Sequence, residues 1–479
     1  MLWLALRLTQ LPVEVFTRAG GPRAAHPFAV SDAARDRLIA CNETARKRGV
    51  IPGMPLAAAT ALASDLRIVT RDSSAEEAAL ARIAAWAIQF TPAVSIAPPD
   101  EILLEVEGSL TLFGGLKSLW ASLSEDLRTL GFTVSIACAP TPLAAQWFAR
   151  AGLTVRLQHK DALRESLGRL PSEAMRAPPA AFALLQNLGA TSVADCLALP
   201  REGLARRLGQ DFIDAIDRAL GLVPDPRLFF TPPTVFRSVQ PLPAPAQEAE
   251  MLLFAARRLL FELCGFLAAT ANGVQRLTFT FSHDVLEPTK LTLSLVAATR
   301  DTDHLLSVLR ERLERTALAS PATALTLESE LLLPLAARSL TLLPEAGREE
   351  EAAAKLIERL RARLGDEAVL GLRRCADHRP ERAWRACQPG SADAPAAAYG
   401  RRPLWLLPQP RPLSEVAAAP TYDGKLTLLA GPERIESGWW DGHEVMRDYF
   451  VAANPSDALL WIYRERNQDA RWFLHGFFA

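Results

Sequence analysis

Apolar residues recur at strand or helix spacing along most of the chain, and the rhythm changes several times. Residues 1–16 are apolar enough to predict a buried N-terminal strand. After a turn at Gly20-Gly21-Pro22, a polar helical stretch is expected over 31–48, closed by Gly49 in a C-cap position, then a short Ala-rich helix over 54–63. Ser73 or Ser74 with Glu76 or Glu77 reads as a capping box, opening a helix in which Leu80, Ile83, Ala87 and Phe90 share one face. The double proline Pro98-Pro99 then breaks the chain ahead of a strand that alternates acidic and apolar positions, with Asp100 and Glu101 at its start and Glu105 and Glu107 further along. A helix over 115–130 and a strand over 133–139 complete an α+β unit, 1–170.

The pattern changes at 171–225. Pro178-Pro179 opens a Leu-rich helix, Leu188-Gly189 turns it, and Leu199-Pro200 leads to another helix carrying Arg201, Arg206 and Arg207. A Pro-rich linker over 224–245 precedes a helix at 246–270. Strands follow over 275–282 and 290–295, a helix over 302–316 and a strand over 324–331, giving a small sheet domain (241–345) with one solvated face and Arg276, Lys290 and Arg300 as its basic candidates. A helix at 348–364 and an Ala/Pro/Gly/Ser linker at 388–400 lead into the C-terminal region, 346–479. Aromatic residues make up only 7% of the chain but crowd there, at Trp439, Trp440, Tyr449, Trp461, Tyr463 and Trp472. Two readings stand. Short strands with a packed aromatic core account for Trp439, Trp461 and Trp472; a partner surface would use Trp439, Trp440, Arg447, Asp448 and Tyr449, since Trp, Tyr and Arg are enriched at interface hot spots.

A length of 479 residues implies three to five compact units. The formal net charge is −1, so any nucleic-acid contact must come from local basic surface. Six cysteines lie far apart, at 41, 138, 196, 264, 375 and 387, and read as reduced thiols of a cytoplasmic protein. Cys375, His378 and Cys387 fit no standard zinc spacing, so no metal site is expected from them. Residues 1–8 are too short for a signal peptide, and no apolar run reaches the ~20 residues that cross a bilayer.

Adjacent carboxylates at a strand start, Asp100 and Glu101, are hard oxygen ligands of the kind that hold Mg2+ against substrate phosphates, given a third carboxylate nearby. A solvated strand edge is the alternative. Against this background the sequence resembles the Y-family DNA polymerases. Their first palm strand, roughly Asp-x-Asp-Ala-Phe-Phe-Ala-Ser-Val-Glu, aligns so that Ala5 replaces a metal-binding Asp and Thr9-Gln10 the aromatic pair, while their second motif survives as Pro98-Pro99-Asp100-Glu101. The fingers motif keeps Arg46 but has Glu43 for its tyrosine, and in the third element Gln146 replaces a cation. An intact apolar and glycine framework without its chemical groups is what the ImuB family of mutagenesis accessory proteins looks like.

The resemblance implies palm and fingers over 1–170 (fingers about 20–72), a helix-hairpin-helix thumb over 171–240, a little-finger-like sheet domain over 241–345 and a recruiting tail. In the thumb, backbone N–H groups at Gly189 would face DNA phosphate, with Arg201, Arg206 and Arg207 adding charge; a plain αα-hairpin is the alternative. It further implies a non-catalytic scaffold for error-prone translesion synthesis that requires no cofactor, with DNA, the RecA-like protein ImuA, an error-prone C-family polymerase and the β sliding clamp as partners. The clamp peptide is degenerate, Ser339, Leu340, Leu342 and Leu343, with Ser339 for the family's Gln and Leu343 for its Phe, so a connecting strand is an equal reading. The enzyme alternative is an active polymerase using Asp100 and Glu101 with Mg2+ and an unorthodox third ligand, Glu14 or Glu105. A structural DNA-binding role outside mutagenesis is a third.

Overall fold

The computed structural model describes residues 1–20, 26–32, 34–335, 346–389, 402–467 and 469–478, and the chain divides into two compact units, 1–363 and 364–479.

In the first unit, strand β1 (Trp3–Leu8) is followed at once by helix α1 (Leu11–Thr17). The apolar N-terminus is therefore a strand and a helix, not one strand to residue 16. Pro12 lies in the first turn of α1, where its missing N–H costs nothing. A small three-stranded sheet comes next, built from β2 (Phe28–Asp32), β3 (Arg37–Cys41) and, beyond helices α2 (Glu43–Arg46) and α3 (Leu56–Leu62), β4 (Arg67–Thr70). The helix expected over 31–48 is thus a β-hairpin plus one helical turn. Asp36 takes a positive φ of 49° at the hairpin, and Asn42 caps α2 by accepting from Ala45 N–H. Helix α4 (Ser73–Ala87) is capped by Asp72, which accepts from Ala75 N–H; the expected Ser–Glu box does not form, because Glu76 turns back to pair with Arg71.

Strands β5 (Val94–Ala97) and β6 (Glu101–Glu105), helix α5 (Leu116–Leu130), strand β7 (Val134–Ala139) and helix α6 (Pro142–Arg150) complete the first layer. Its sheet order is β5-β6-β1-β7, all neighbours antiparallel. Thus β1 is central and β7 forms an edge. Helices α7 (Leu163–Gly168), α8 (Pro179–Asn187), α9 (Val193–Ala198), α10 (Arg201–Leu208) and α11 (Gln210–Leu220) form a helical cluster whose apolar faces share a core with α6 and one face of β1.

Half of the Pro-rich linker expected over 224–245 is a strand, β8 (Arg237–Ala246). With helix α12 (Ala249–Ala269), strands β9 (Asn272–Ser282) and β10 (Thr289–Thr299), helix α13 (Thr302–Leu313) and strand β11 (Ala322–Pro334), it builds a sheet of order β10-β9-β11-β8. β8 tolerates Pro241, Pro243 and Pro245 because it lies at the edge, where a missing donor leaves no ladder bond unmade. Helix α14 (Ala346–Leu364) packs on this domain: Glu358 accepts from Val296 N–H at 2.6 Å and contacts His304. The sheet domain also packs on α4 through α12, and a Cβ on Gly265 would lie 2.2 Å from Trp86. Buried charges bridge the same junction. Arg18 (1% exposed) donates to Glu262 (2% exposed) at 2.5 Å, Ser238 donates to the other Glu262 oxygen at 2.7 Å, and Arg82 lies 3.5 Å away.

The second unit contains a hairpin, β12 (Gly371–Arg374) with β13 (Trp384–Cys387), then β14 (Trp405–Pro412), the short pair β15 (Ser414–Val416) and β16 (Ala419–Thr421), β17 (Thr427–Ser437), β18 (Val445–Ala453), β19 (Leu459–Glu465) and β20 (Trp472–Phe477). Its main sheet runs β14-β20-β19-β18-β17. Tyr449, Trp461 and His475 stack on one face of it, with ring centroids 4.1 Å apart for Tyr449 and Trp461. Trp472, Ile462 and Leu474 pack together in a separate cluster.

Removing Glu262 strands a buried guanidinium, a change worth about 3–5 kcal/mol. Glu262→Ala is therefore expected to lower the urea midpoint of the 1–363 unit strongly. An unchanged midpoint would show that the charge cluster does not hold α12 to the N-terminal layer.

Candidate functional site

The register places Ala5 opposite Leu103 on one side and Ala137 on the other, fully buried in the middle of the sheet. Two residues along β1, Arg7 faces Glu101 of β6. Asp100 and Glu101 sit just after the Pro98-Pro99 break, as the sequence implies, but they are not a solvated edge: Glu101 has no exposure at all. Arginines surround them. Arg176 donates to both Asp100 oxygens at 2.6 and 2.7 Å, and Arg7 Nε donates to Asp100 at 3.1 Å. Arg150 donates to both Glu101 oxygens at 2.6 and 2.8 Å, and the Gln146 amide adds a bond of 2.6 Å. Arg227, itself 2.5 Å from Asp225, donates to Gln146 at 3.2 Å. All four carboxylate oxygens therefore accept from fixed side chains. Burial opposes ionisation of Asp100, yet the bonds and charges of Arg176 and Arg7 outweigh it and hold the carboxyl below its usual range.

The third carboxylates considered for a metal lie elsewhere. Glu105 accepts from Leu2 N–H at the opposite end of β6. Glu14 accepts from Thr133 N–H, and burial pushes its carboxyl up to about 7. Among the described residues no group of three or more His, Cys, Asp or Glu side chains gathers as a cation site, Cys375, His378 and Cys387 included.

The other candidates are scattered. Glu43 is exposed and pairs with Lys47 at 2.8 Å. Arg46 is tied to Gln10, whose amide, turned to suit its neighbours, accepts from it at 2.5 Å and donates to Cys41 carbonyl. At the α8–α9 turn, Gly189 has φ 73°, but the expected open N–H groups are taken. Gly189 N–H bonds Gln186, Ala190 N–H bonds Leu185, Thr191 and Ser192 N–H both bond the Asp195 carboxylate, and Val193 N–H bonds Leu170. Asp195 completes a capping box with Ser192. Arg201 pairs with Asp217 at 2.5 Å, while Arg206 and Arg207 are exposed. On the open face of the second sheet Arg276 and Lys290 are exposed, as is Arg300 at the end of β10. Ser339, Leu340, Leu342 and Leu343 lie outside the described residues.

In the second unit the aromatic candidates divide. Trp439 and Trp440 are 76% and 60% exposed on the β17–β18 loop, so Trp439 is not a core residue. Tyr449 is the reverse: at 1% exposure it is core and offers no surface to a partner. Its hydroxyl contacts His475 at 2.8 Å and accepts from Arg447 at 3.1 Å, while Asp448 pairs with Arg434. The exposed loop is anchored by Arg379, which bonds Asp377, Asp441 and the His443 carbonyl.

Sequence reasoning missed the arginines. Arg150 was within reach of it, since it follows Gln146 by one helical turn and so shares its face. Arg176 was not, because it enters the site from a positive φ of 50° that no pattern announces.

Residues 23–150 match the impB/mucB/samB (IMS) family. The chain is 29% identical over 459 residues to Protein ImuB of Caulobacter vibrioides strain NA1000 / CB15N, covering 90% of this chain and all of the relative. The same values hold for Protein ImuB of strain ATCC 19089. Among solved structures, DinB from Sulfolobus solfataricus is similar at 17% identity and TM-score 0.40, over 70% of this chain and all of that one. A Dbh ternary complex matches at 18% and 0.39, over 69% and 99%. Residues 23–150 thus resemble an impB/mucB/samB-type domain. Over most of its length the chain is similar to these ImuB proteins.

Because the folded-state pKa of Asp100 is depressed, its pairing stabilises the fold above the ordinary carboxyl pKa of 3.8 and is lost as pH falls below it. The stability advantage of the native chain over Arg176→Ala should be full at about pH 6 and shrink by about pH 3. A gap independent of pH in thermal melts would contradict the pairing.

Proposed function

We propose that this chain is a non-catalytic, Y-family-polymerase-like scaffold for error-prone translesion synthesis. The observation that carries this reading is the saturation of Asp100 and Glu101 by three arginines and Gln146. Phosphoryl transfer needs exchangeable metal ions that bridge protein carboxylates and substrate oxygens. Here the carboxylates are neutralised by side chains of the protein itself, and Ala5 supplies no third ligand. The donor set does not fit Mg2+, so no cofactor is assigned.

In this reading, palm and fingers span 1–170 (fingers about 20–72), the thumb 171–240 and the little-finger-like domain 241–345, with a recruiting region over 346–479. The protein acts in the cytoplasm. DNA contacts fall to exposed Arg276, Lys290, Arg206 and Arg207 in place of the Gly189 turn. Trp439 and Trp440, held out by the Arg379 anchor, are the recruiting residues for ImuA or the error-prone C-family polymerase, and the sliding clamp would dock at 339–343.

The test is anisotropy binding of a primer–template junction, with capture of purified C-family polymerase and ImuA in parallel. DNA affinity should fall at least about tenfold between roughly 50 and 200 mM salt, and further in Arg276→Ala/Lys290→Ala. Trp439→Ala/Trp440→Ala should keep both fold and DNA binding but lose capture. Salt-insensitive DNA binding, or full capture by the double Trp variant, would overturn these assignments.

A further inference from the structure

The two edges of the N-terminal sheet are finished differently. The β5 edge is met by the chain itself at one point, where Phe230 N–H donates to Val94 carbonyl at 2.7 Å. The β7 edge is covered only at its far end, where Cys138 N–H donates to Val155 carbonyl (2.8 Å) and Leu157 N–H to Cys138 carbonyl (3.0 Å).

The phase of the ladder says what lies before that point. Cys138 points its backbone groups away from β1, and Thr133 carbonyl accepts from Thr9 N–H toward it. Backbone direction alternates along a strand, so Val134 and Ile136, two and four residues before Cys138, also point their N–H and C=O groups outward. Among the described residues nothing accepts from or donates to these four groups. A row of unpaired strand groups is a template for another strand.

Beside this stretch lies a cavity of about 500 Å3 whose lining includes Trp120, Leu127, Phe132 and Ile136 together with Ser124, Arg128 and Thr154. Arg128, which lines the cavity, is paired with Glu125, and Arg156 lies over the Trp120 ring at 4.7 Å. Main-chain bonds along an edge with a side-chain pocket next to them are the two parts of strand-addition recognition.

We propose that residues 134–136 of β7 form a docking edge for a short extended peptide of a protein partner. The peptide adds a strand outside β7 and places one large apolar side chain in the Trp120–Phe132 cavity. Two observations favour a peptide over a second copy of this chain. The open stretch ends where 155–157 takes over the edge, and three residues of edge fall far short of the ~1,200 Å2 that a stable dimer buries. The cavity, at about 500 Å3, has room for a large side chain of an added strand. An acidic residue flanking the apolar anchor would meet Arg156.

The probe is a displayed library of random eight-residue peptides, panned on the full chain and counter-selected on Val134→Pro, which removes one outward donor from an edge position that tolerates proline. If that variant fails to fold, Thr154→Trp serves in its place by filling the cavity. Enriched peptides should carry a large apolar residue, bind at least about tenfold more weakly to the variant, and slow hydrogen exchange at the Val134 and Ile136 amides of the native chain. Without peptide, those two amides should exchange faster than that of Cys138. Failure to enrich any peptide over the variant, or enriched peptides that leave both amides unprotected, would overturn the proposal. So would a concentration-dependent dimer, lost in Val134→Pro, which would give the edge to a second copy.

Discussion

Two adjacent carboxylates at the start of β6, one of them fully buried, cannot stay charged there without fixed partners. The partners come from three places in the chain, Arg7 on β1, Arg150 and Gln146 on α6, and Arg176 ahead of α8, while Arg227 beyond α11 bonds Gln146 in turn. Charge compensation thereby becomes a tether. It fixes the helical cluster and the segment leading to the second sheet against the N-terminal layer. A metal ion would leave those elements free of this bond, since it binds and departs with substrate. In this protein the cations are part of the chain.

A second buried charge cluster does similar work on the other side of the layer. Glu262 with Arg18, Arg82 and Ser238 joins α12 to α1 and α4, beside the close Gly265–Trp86 packing. Both junctions rely on pairs that are costly to break, not on large net stabilisation. The first unit is therefore an N-terminal layer joined at two faces by paired arginines, consistent with a chain rich in Arg and nearly neutral overall.

Much of this was legible in the sequence. Helices α4, α5 and α12 and strands β6, β7, β9 and β10 follow their apolar periodicity, and the Asp100-Glu101 pair behind the double proline stood out as an acidic strand start. What escaped was decided by tertiary context. β8 holds three prolines and reads as a linker until its edge position is known. The β2–β3 hairpin turns at Asp36, a non-glycine with positive φ. Gly189 suggested open N–H groups, yet Asp195 had claimed them. In the second unit, composition marked the aromatic cluster but could not sort its members: Tyr449 is core, and Trp439 and Trp440 are surface.

The central claim is that guanidinium groups stand where exchangeable metals would have to act. It is tested most directly by primer extension with the purified full chain, in Mg2+ and in Mn2+, beside an active polymerase control. The account predicts no nucleotide incorporation with either ion, in preparations that still bind the primer–template junction. Incorporation that disappears in Asp100→Ala would contradict it, because Asp100 would then have to release Arg176 and Arg7 to take up a metal.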